Sequence, residues 1–512
     1  MTNRATWLDR AISWMSPQWG LERTRARIAA GVLMSYEGAR TDRRASGWST
    51  TDSSANSEIG PALSRLRQRS RDLVRNNAYA SRAISELAGQ AVGTGITAQA
   101  KPAGGDLALA KQINDAWRIF VDECDADGQL DLYGLQRLAA RTLFESGEVL
   151  VRFRPRLYDD GFHVPMQIQL MEPDYVDTAL TQATKTGGRI VQGVEFDPIG
   201  RRSAYWLFPE HPGEIQVDYV RSNAASRRVP AELILHVYQK DRQQVRGVPW
   251  LAPVIISLRD LDEYNEAELV RKKIEACFAT FVTQPEASEG PALGEVSASD
   301  GQTVETLEPG AIHYLKPGEG VSFAQPSGSG EGYRDFMRDV QTRIASGIGL
   351  TYEQLTGDLS NVNYSSYRAG LLSFRNHIDA FRWLTFIPMF CGPVRRWFID
   401  SAFAAGRISR RDYGTEWTPP AYGSVDPEKD ANALVKRVRS GLLTWPQAVA
   451  EEGYDPEEQL LAIKKSNEAF DKAGVVLDCD PRKRTAVGGP VSGGGNQDAV
   501  GGDGERDPAP RP

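Results

Sequence analysis

The segment from Pro253 to Cys277 constrains this chain most. Ile256, Leu258, Leu261, Tyr264, Ala267, Leu269, Ile274 and Phe278 recur at helical intervals but are spread around nearly the whole cylinder. Arg259, Asp260, Asp262, Glu263, Glu266, Glu268, Arg271, Lys272 and Lys273 share that cylinder. A helix this long and this charged does not face a single core of its own. It suits packing against copies of itself, with charges paired across an interface.

After that helix, Phe278 to Val282, Ile312–Leu315 and Val321–Phe323 read as short strands around small, polar and Pro-Gly punctuated sequence. Helical spacing resumes from Tyr333 to Ile348 through Phe336, Val340 and Ile344. Residues 279–328 therefore form a compact insertion between two helices. The stretch Leu355 to Gly370 then joins this helix to a longer one, from Tyr364 to about Ala404, striped by Tyr367, Leu371, Phe374, Ile378, Phe381 and Leu384. Pro388 and Pro393 are expected to kink or divide the longer helix. The joint between the two is longer than chain reversal requires, which marks it as a functional loop.

Upstream, residues 1–60 read as an arm, with Trp7, Trp14 and Trp19 as anchors on a neighbouring surface. Helical patterns follow from Pro61 to the break at Asn76-Asn77, from Ala78 to Gly93, from Leu107 to Val121, and from Leu132 to Glu145 with Asp131 as N-cap. Arg65, Arg67, Arg69, Arg71 and Arg75 decorate the first of these helices. They read as a solvated or acid-paired face, or as a contact with acidic neighbours or DNA. After Gly147 the period changes to two, and strands are expected at Val149–Phe153, Gln167–Met171, Arg189–Phe196, Ala204–Phe208 and Leu233–Tyr238. This makes a mainly antiparallel sheet on a helical platform. Two or three short helices fit between Asp426 and Phe470, and the Gly- and Pro-rich tail reads as disordered.

Chemistry-bearing motifs are scarce. The chain has no GxxxxGK[ST] phosphate loop, HExxH or GxSxG, and its five histidines have no ligand spacing. Gly93-Thr-Gly-Ile-Thr-Ala98 matches GxGxxA but ends a helix, so it is a helix stop. Glu123 to Gly128 resembles a calcium loop, yet Gly134 stands where the bidentate acid belongs. Glu172-Pro-Asp174 offers two carboxylates without a matching third acid. Cys124, Cys277, Cys391 and Cys479 are scattered, which fits free thiols in a reducing compartment. No run of about 18 apolar residues could span a membrane. The formal net charge is −7, which argues against tight resting DNA binding through phosphate neutralisation while allowing brief contact.

A series of short strings, in shared order, resembles the lambda-type phage portal proteins from about Tyr36 to about Gly453. They are Tyr36-Glu-Gly-Ala-Arg40, Arg71-Asp-Leu-Val-Arg-Asn-Asn-Ala-Tyr79, Val92-Gly-Thr-Gly-Ile96, Cys124-Asp-Ala-Asp-Gly128, Gly147-Glu-Val149, Leu170-Met-Glu-Pro-Asp174, Gly193-Val-Glu-Phe-Asp197 and Val245-Arg-Gly-Val-Pro-Trp-Leu-Ala-Pro253. Leu307-Glu-Pro-Gly310, Leu355-Thr-Gly-Asp-Leu359, Asn363-Tyr-Ser-Ser366 and Arg368-Ala-Gly370 complete the series.

The resemblance implies a mainly α, α+β portal fold and a non-catalytic ring of about twelve copies at one capsid vertex, without cofactor or metal. Such a ring passes double-stranded DNA during packaging and ejection and docks the terminase large subunit. It also meets major capsid and scaffold proteins and, later, head-tail connector proteins. Its place is the virion, and the host cytoplasm during assembly. Mapped onto this chain, residues 1–60 are an N-terminal arm, 61–252 the wing, 253–278 and 329–350 the stem helices, and 279–328 the clip. Residues 351–364 are the tunnel loop, 365–404 a long wing helix, 405–470 the crown and 471–512 the disordered tail. The tunnel loop would offer Asp358, Ser360, Asn361, Asn363, Tyr364, Ser365 and Arg368 to DNA. Arg368 is equally suited to an intersubunit salt bridge. Stem contacts between subunits would use Arg259, Asp262, Glu266, Arg271 and Lys272. The rival readings are a metal-dependent DNA-processing enzyme and a DNA-coating capsid accessory with basic surfaces.

Overall fold

Side-chain capping sets the helical frame. A computed structural model describes residues 52–214, 225–276, 280–283, 312–315, 332–360, 362–412, 414–424 and 426–477, together with Gln18, Asp480, Arg482 and Lys483; the side chains of 274–276, 280–283 and 312–315 lie outside that description. Trp7, Trp14, Trp19, Cys277, Asn361, Val321–Phe323, Cys479 and the tail from 484 also lie outside it. The chain divides into Met1–Glu58 and Ile59–Pro512.

Helix α1 spans Ala55–Asn76 and includes Pro61, so it starts six residues before the expected proline boundary. Ser54 supplies the earlier start, its hydroxyl accepting from the Ser57 amide at 3.3 Å. α2 (Ala78–Val92) starts and stops where the sequence placed it, and the Asn77 side chain at the expected break caps it. β1 (Thr97–Ala100), α3 (Leu107–Glu123) and α4 (Leu132–Ser146) follow, with Asp106 and Asp131 accepting first-turn amides. The Asp125 carboxylate is occupied by its own turn, accepting backbone N–H groups from Asp127, Gln129 and Leu130, each at 3.0 Å.

The expected single sheet is two. β2 (Glu148–Pro155) lies between β3 (Met166–Met171) and β9 (Ile234–Tyr238). β4 (Gln182–Ala183), β5 (Arg189–Val191), β6 (Val194–Phe196), β7 (Arg202–Leu207) and β8 (Arg227–Pro230) form a second sheet in that order. Both are antiparallel throughout. The strand expected at 189–196 is a hairpin, because Gln192 and Gly193 take φ of 50° and 79° and reverse the chain. Val149 and Val151 enter the main helical core, while Leu150 enters a second apolar cluster shared with β7. With both faces of β2 covered, an unbroken Val-Leu-Val run is what burial requires.

A buried carboxylate ties these parts together. Glu148 is fully buried and accepts from Arg67 of α1, from Arg246 Nε at 2.8 Å, and from the Gly247 amide and His236 Nε2 at 2.7 Å each. Arg202 Nη1 donates to His236 Nδ1 at 2.8 Å. Since a guanidinium only donates, the imidazole proton sits on Nε2 and points at Glu148. Arg246 also reaches the Gln192 carbonyl at 3.0 Å and Thr178 Oγ1 at 3.1 Å, holding the β5–β6 turn. Burial favours a neutral Glu148, but Arg246, Arg67 and His236 outweigh it and hold the carboxyl well below its usual range. A Cβ on Gly247 would lie 2.1 Å from the Gly147 carbonyl oxygen, so glycine is what lets the Gly247 amide approach.

The remaining elements are α5 (Ile255–Ala276), β10 (Thr280–Thr283), β11 (Ile312–Leu315), α6 (Gly332–Ile348), α7 (Tyr352–Thr356) and α8 (Tyr364–Phe381). β10 and β11 pair in parallel between the two long helices. A π-helical segment, Arg382–Cys391, then continues into α9 (Gly392–Ala404). The expected interruption of the long helix is this π-helical segment, between two α-helical stretches. Pro388 lies within the π segment, and Pro393 is the second residue of α9. β12 (Thr415–Thr418) pairs with β1. α10 (Pro427–Arg439), α11 (Trp445–Glu451) and α12 (Pro456–Ala473) follow, the last running three residues past the expected start of the tail.

Two outcomes are expected. Glu148→Gln leaves Arg67 and Arg246 buried against a neutral amide and lowers unfolding free energy by about 3–5 kcal/mol, read as a lower denaturant midpoint at unchanged m. Burial lowers His236 from 6.5 to about 4, more than the adjacent Glu148 raises it. The unfolded chain thus binds a proton between those values that the folded chain refuses. Stability should be full above about pH 6.5 and fall as pH drops toward 4, with the Glu148 contribution lost only below 4.5. Melting curves between pH 7 and 4 measure this slope, and His236→Gln should flatten it.

Candidate DNA-facing loop and helix pair

The expected loop begins with a helix. Thr351 Oγ1 accepts from the Gln354 amide at 3.3 Å, and Gln354 Oε1 accepts from the Thr351 amide at 3.0 Å. This capping box starts α7, and Gly357, at φ 76°, ends it. Leu355 is fully buried, and Arg82 Nε donates to the Gln354 carbonyl at 2.7 Å. The irregular part of 351–364 is therefore only 357–363, clamped at its root. The Thr-x-x-Gln spacing carried this signal in the sequence.

Within the loop, Asp358 accepts from the Ser360 amide at 2.9 Å and from the Tyr352 hydroxyl at 3.3 Å. The hydrogen bonds from Ser360 come first among the causes that hold its carboxyl below the usual range. Ser360 and Ser365 are exposed. Asn363 caps α8 by accepting from the Ser366 amide at 2.8 Å, so its carbamoyl oxygen is used locally and its NH₂ remains to donate outward. Tyr364 is 45 % exposed, with Lys429 Nζ 5.6 Å from its ring centroid. Arg368 donates to the Tyr364 hydroxyl at 3.0 Å and to Asp430 Oδ1 at 2.8 Å. Its partner is an acid of α10 in the same chain, so Arg368 steadies the loop exit and ties it to the C-terminal helices.

The helix pair shows a similar division. Leu258 and Leu261 of α5 and Met337, Ile344 and Ile348 of α6 are buried. Tyr264 stacks on Tyr333 at 5.9 Å and meets Phe336 edge-on at 5.0 Å. Gly347 lies so close to Val254 that a Cβ there would approach its Cγ1 to 2.5 Å. Among the residues expected at subunit contacts, Arg259 pairs with Glu263 at 2.7 Å one turn on, and Arg271 pairs with Glu268. Asp262 accepts from the Asn77 side chain at 2.7 Å, linking α5 to the cap of α2. Glu266 and Lys272 are exposed. Ile256, Leu269 and Val270 stand 58 %, 55 % and 47 % exposed.

The sequence offered Glu172 and Asp174 as a weak metal pair, and the structure adds His211 beside them. Two observations decide against a cation there. Arg71 Nη2 already lies 3.0 Å from Glu172 Oε2 and 2.5 Å from Asp174 Oδ2. The Gly213 amide donates to His211 Nδ1 at 3.1 Å, so in the neutral ring the proton is on Nε2, the atom turned toward Glu172. A protonated nitrogen has no lone pair for a metal. Arg71 and Arg67 are thus acid-paired, which is one of the two readings of the arginine-rich first helix. The Glu148 cluster was missed from the sequence. Its signal was Glu148 sharing strand parity with Leu150, since a charge on a buried face demands partners.

The family description "Phage portal protein, lambda family" matches residues 41–382. The chain is 26% identical over 479 residues to the probable portal protein of Halomonas phage phiHAP-1, covering 88% of this chain and 89% of that one. It is 22% identical over 470 residues to portal protein B of Escherichia phage lambda, covering 80% and 85%. A chain in the neck of a native gene transfer agent particle, solved with C12 symmetry, aligns with a TM-score of 0.40 at 14% identity over 76% of this chain and 94% of that one. The match over 41–382 takes in most of the chain, including both long helices and the loop. This chain belongs to the lambda family of phage portal proteins.

Proposed function

We propose that the chain is the subunit of a homo-oligomeric ring of about twelve copies at one vertex of a phage capsid. There it forms the channel for double-stranded DNA, without catalytic activity. The observation that carries this is the surface of α5, where exposed Ile256, Leu269 and Val270 share the helix with many charged residues. Such a surface is costly in a monomer and is satisfied when identical neighbours cover it. In this reading 253–278 and 329–350 are stem helices, and 279–328 between them is the clip that the terminase large subunit and, later, the head-tail connectors grip. Residues 61–252 and 365–404 form the wing, 405–470 the crown and 1–60 the arm. Capsid and scaffold proteins surround the wing. The ring assembles in the host cytoplasm and remains in the virion.

The loop 357–363 supplies the DNA contact. Uncharged groups such as the Asn363 NH₂ and the Ser365 hydroxyl reach phosphate oxygens without reading bases, so a duplex of any sequence can pass. Asp358 places a negative charge beside them, which opposes sticking.

Electron microscopy and native mass of the purified chain test the ring. Closed rings with an axial hole of about 20 Å or more, wide enough for a duplex, are expected. A monomer that cuts DNA when a divalent ion is added would end the reading. Deleting 357–363 should leave rings intact and reduce packaged or retained DNA, because Arg82 holds α7 through the Gln354 carbonyl and the Arg368–Asp430 pair holds α8, all outside the cut. Normal packaging by that variant would remove the loop from the channel.

A further inference from the structure

The same-face residues of β2 run Glu148, Leu150, Arg152, Arg154, and the ladder continues through the Arg156 amide to the Pro165 carbonyl at 3.0 Å. The first two are buried by the Glu148 cluster and the second apolar core. The next three positions bring three guanidiniums into one row. Alternate strand residues stand about 6.7 Å apart, so the row spans roughly 13 Å.

No carboxylate faces this row among the described residues. Arg154 donates to Gln169 Oε1 through Nε at 2.9 Å and Nη2 at 2.5 Å, and Arg156 Nε donates to Gln167 Oε1 at 2.7 Å. The Arg152 side chain makes no hydrogen bond or ion pair with a described residue. The contrast with Arg67, Arg71 and Arg246 is sharp, since each of those meets an acid. Partial burial and the two like-charged neighbours push the Arg154 guanidinium down from its ordinary value. The glutamines orient the Arg154 and Arg156 planes without neutralising them, which leaves N–H groups of the forks for an outside acceptor. In a chain of net charge −7, three uncompensated cations in register are a local exception.

We infer that Arg152, Arg154 and Arg156 form a phosphate-backbone contact for double-stranded DNA, separate from the loop 357–363. A row of planar donors at this spacing meets successive phosphates of one strand and reads no base. The contact is therefore sequence-independent and strengthened by counterion release. The choice of nucleic acid over another polyanion rests on the proposed channel function.

The test uses the full chain in its native assembly and a fluorescein-labelled 30-base-pair duplex, with anisotropy read from 50 to 300 mM NaCl. Arg152→Gln with Arg154→Gln should weaken binding roughly fivefold to tenfold per arginine at 0.1 M salt and reduce the slope of log K against log salt by about 0.9 for each phosphate no longer neutralised. The paired lysine substitutions should keep the wild-type slope. The melting midpoint of the glutamine variant should be unchanged or higher, because like-charge repulsion is relieved, whereas a structural role would lower it. Unchanged affinity and slope in the glutamine variant would overturn the inference, as would arginine-dependent binding of polyglutamate by a chain that ignores DNA. Either result with intact rings removes this surface alone. Absence of rings bears on the channel reading instead.

Discussion

Glu148 is the point on which the described fold depends. A carboxylate with no exposure is tolerable only when its lone pairs are filled and its charge is matched. Here Arg67 comes from α1, His236 from the neighbouring strand, and Arg246 and the Gly247 amide from the segment leading to α5. Arg202 extends the cluster into the five-stranded sheet through His236, Tyr205 and Tyr238. One buried charge therefore sets the mutual position of the first helix, both sheets and the start of the charged helix.

From that anchor the geometry passes outward. Trp250, just beyond Gly247, packs edge-on against Phe144 at 4.5 Å and against Phe381 at 5.7 Å, so the start of α5 is held by α4 and by the end of α8. Arg382 closes the far side, donating to the carbonyls of Gln90 at 2.7 Å and Ala91 at 2.8 Å at the C-terminus of α2. These groups would otherwise be unsatisfied helix-end acceptors. The segment around 357–363 is thus tied down on both sides, with Arg82 at one root and the Arg368–Asp430 pair at the other.

Local signals read well from the sequence. Asp131, Asn77 and Gly93 end or begin helices where short-range hydrogen bonding decides the matter, and the paired long helices around an insertion were legible from spacing alone. The order of motifs resembling lambda-type portals pointed to the family that the match over 41–382 establishes. Misreadings arose where a local preference met a competing contact. The 189–196 strand folded back because Arg246 and Thr181 hold Gln192 in a conformation few side chains adopt. The Thr351–Gln354 capping box differs from these, since its signal is local and lay within the stretch read as loop.

What the sequence determined by itself is the inventory: which segments are helix or strand, the charged helix that no single core can satisfy, the polar joint before Tyr364, and the family. Those properties depend on neighbours within a few residues or on the order of motifs. Tertiary structure alone decided which charges meet. Arg67 and Glu148 are 81 residues apart, Arg368 and Asp430 are 62 apart, and Arg71 meets Asp174 across 103. Pairing at such separations is fixed by how sheets and helices stack, because a Coulomb contact depends on distance in space and carries no trace in local composition. The same stacking left Arg152, Arg154 and Arg156 without an acid.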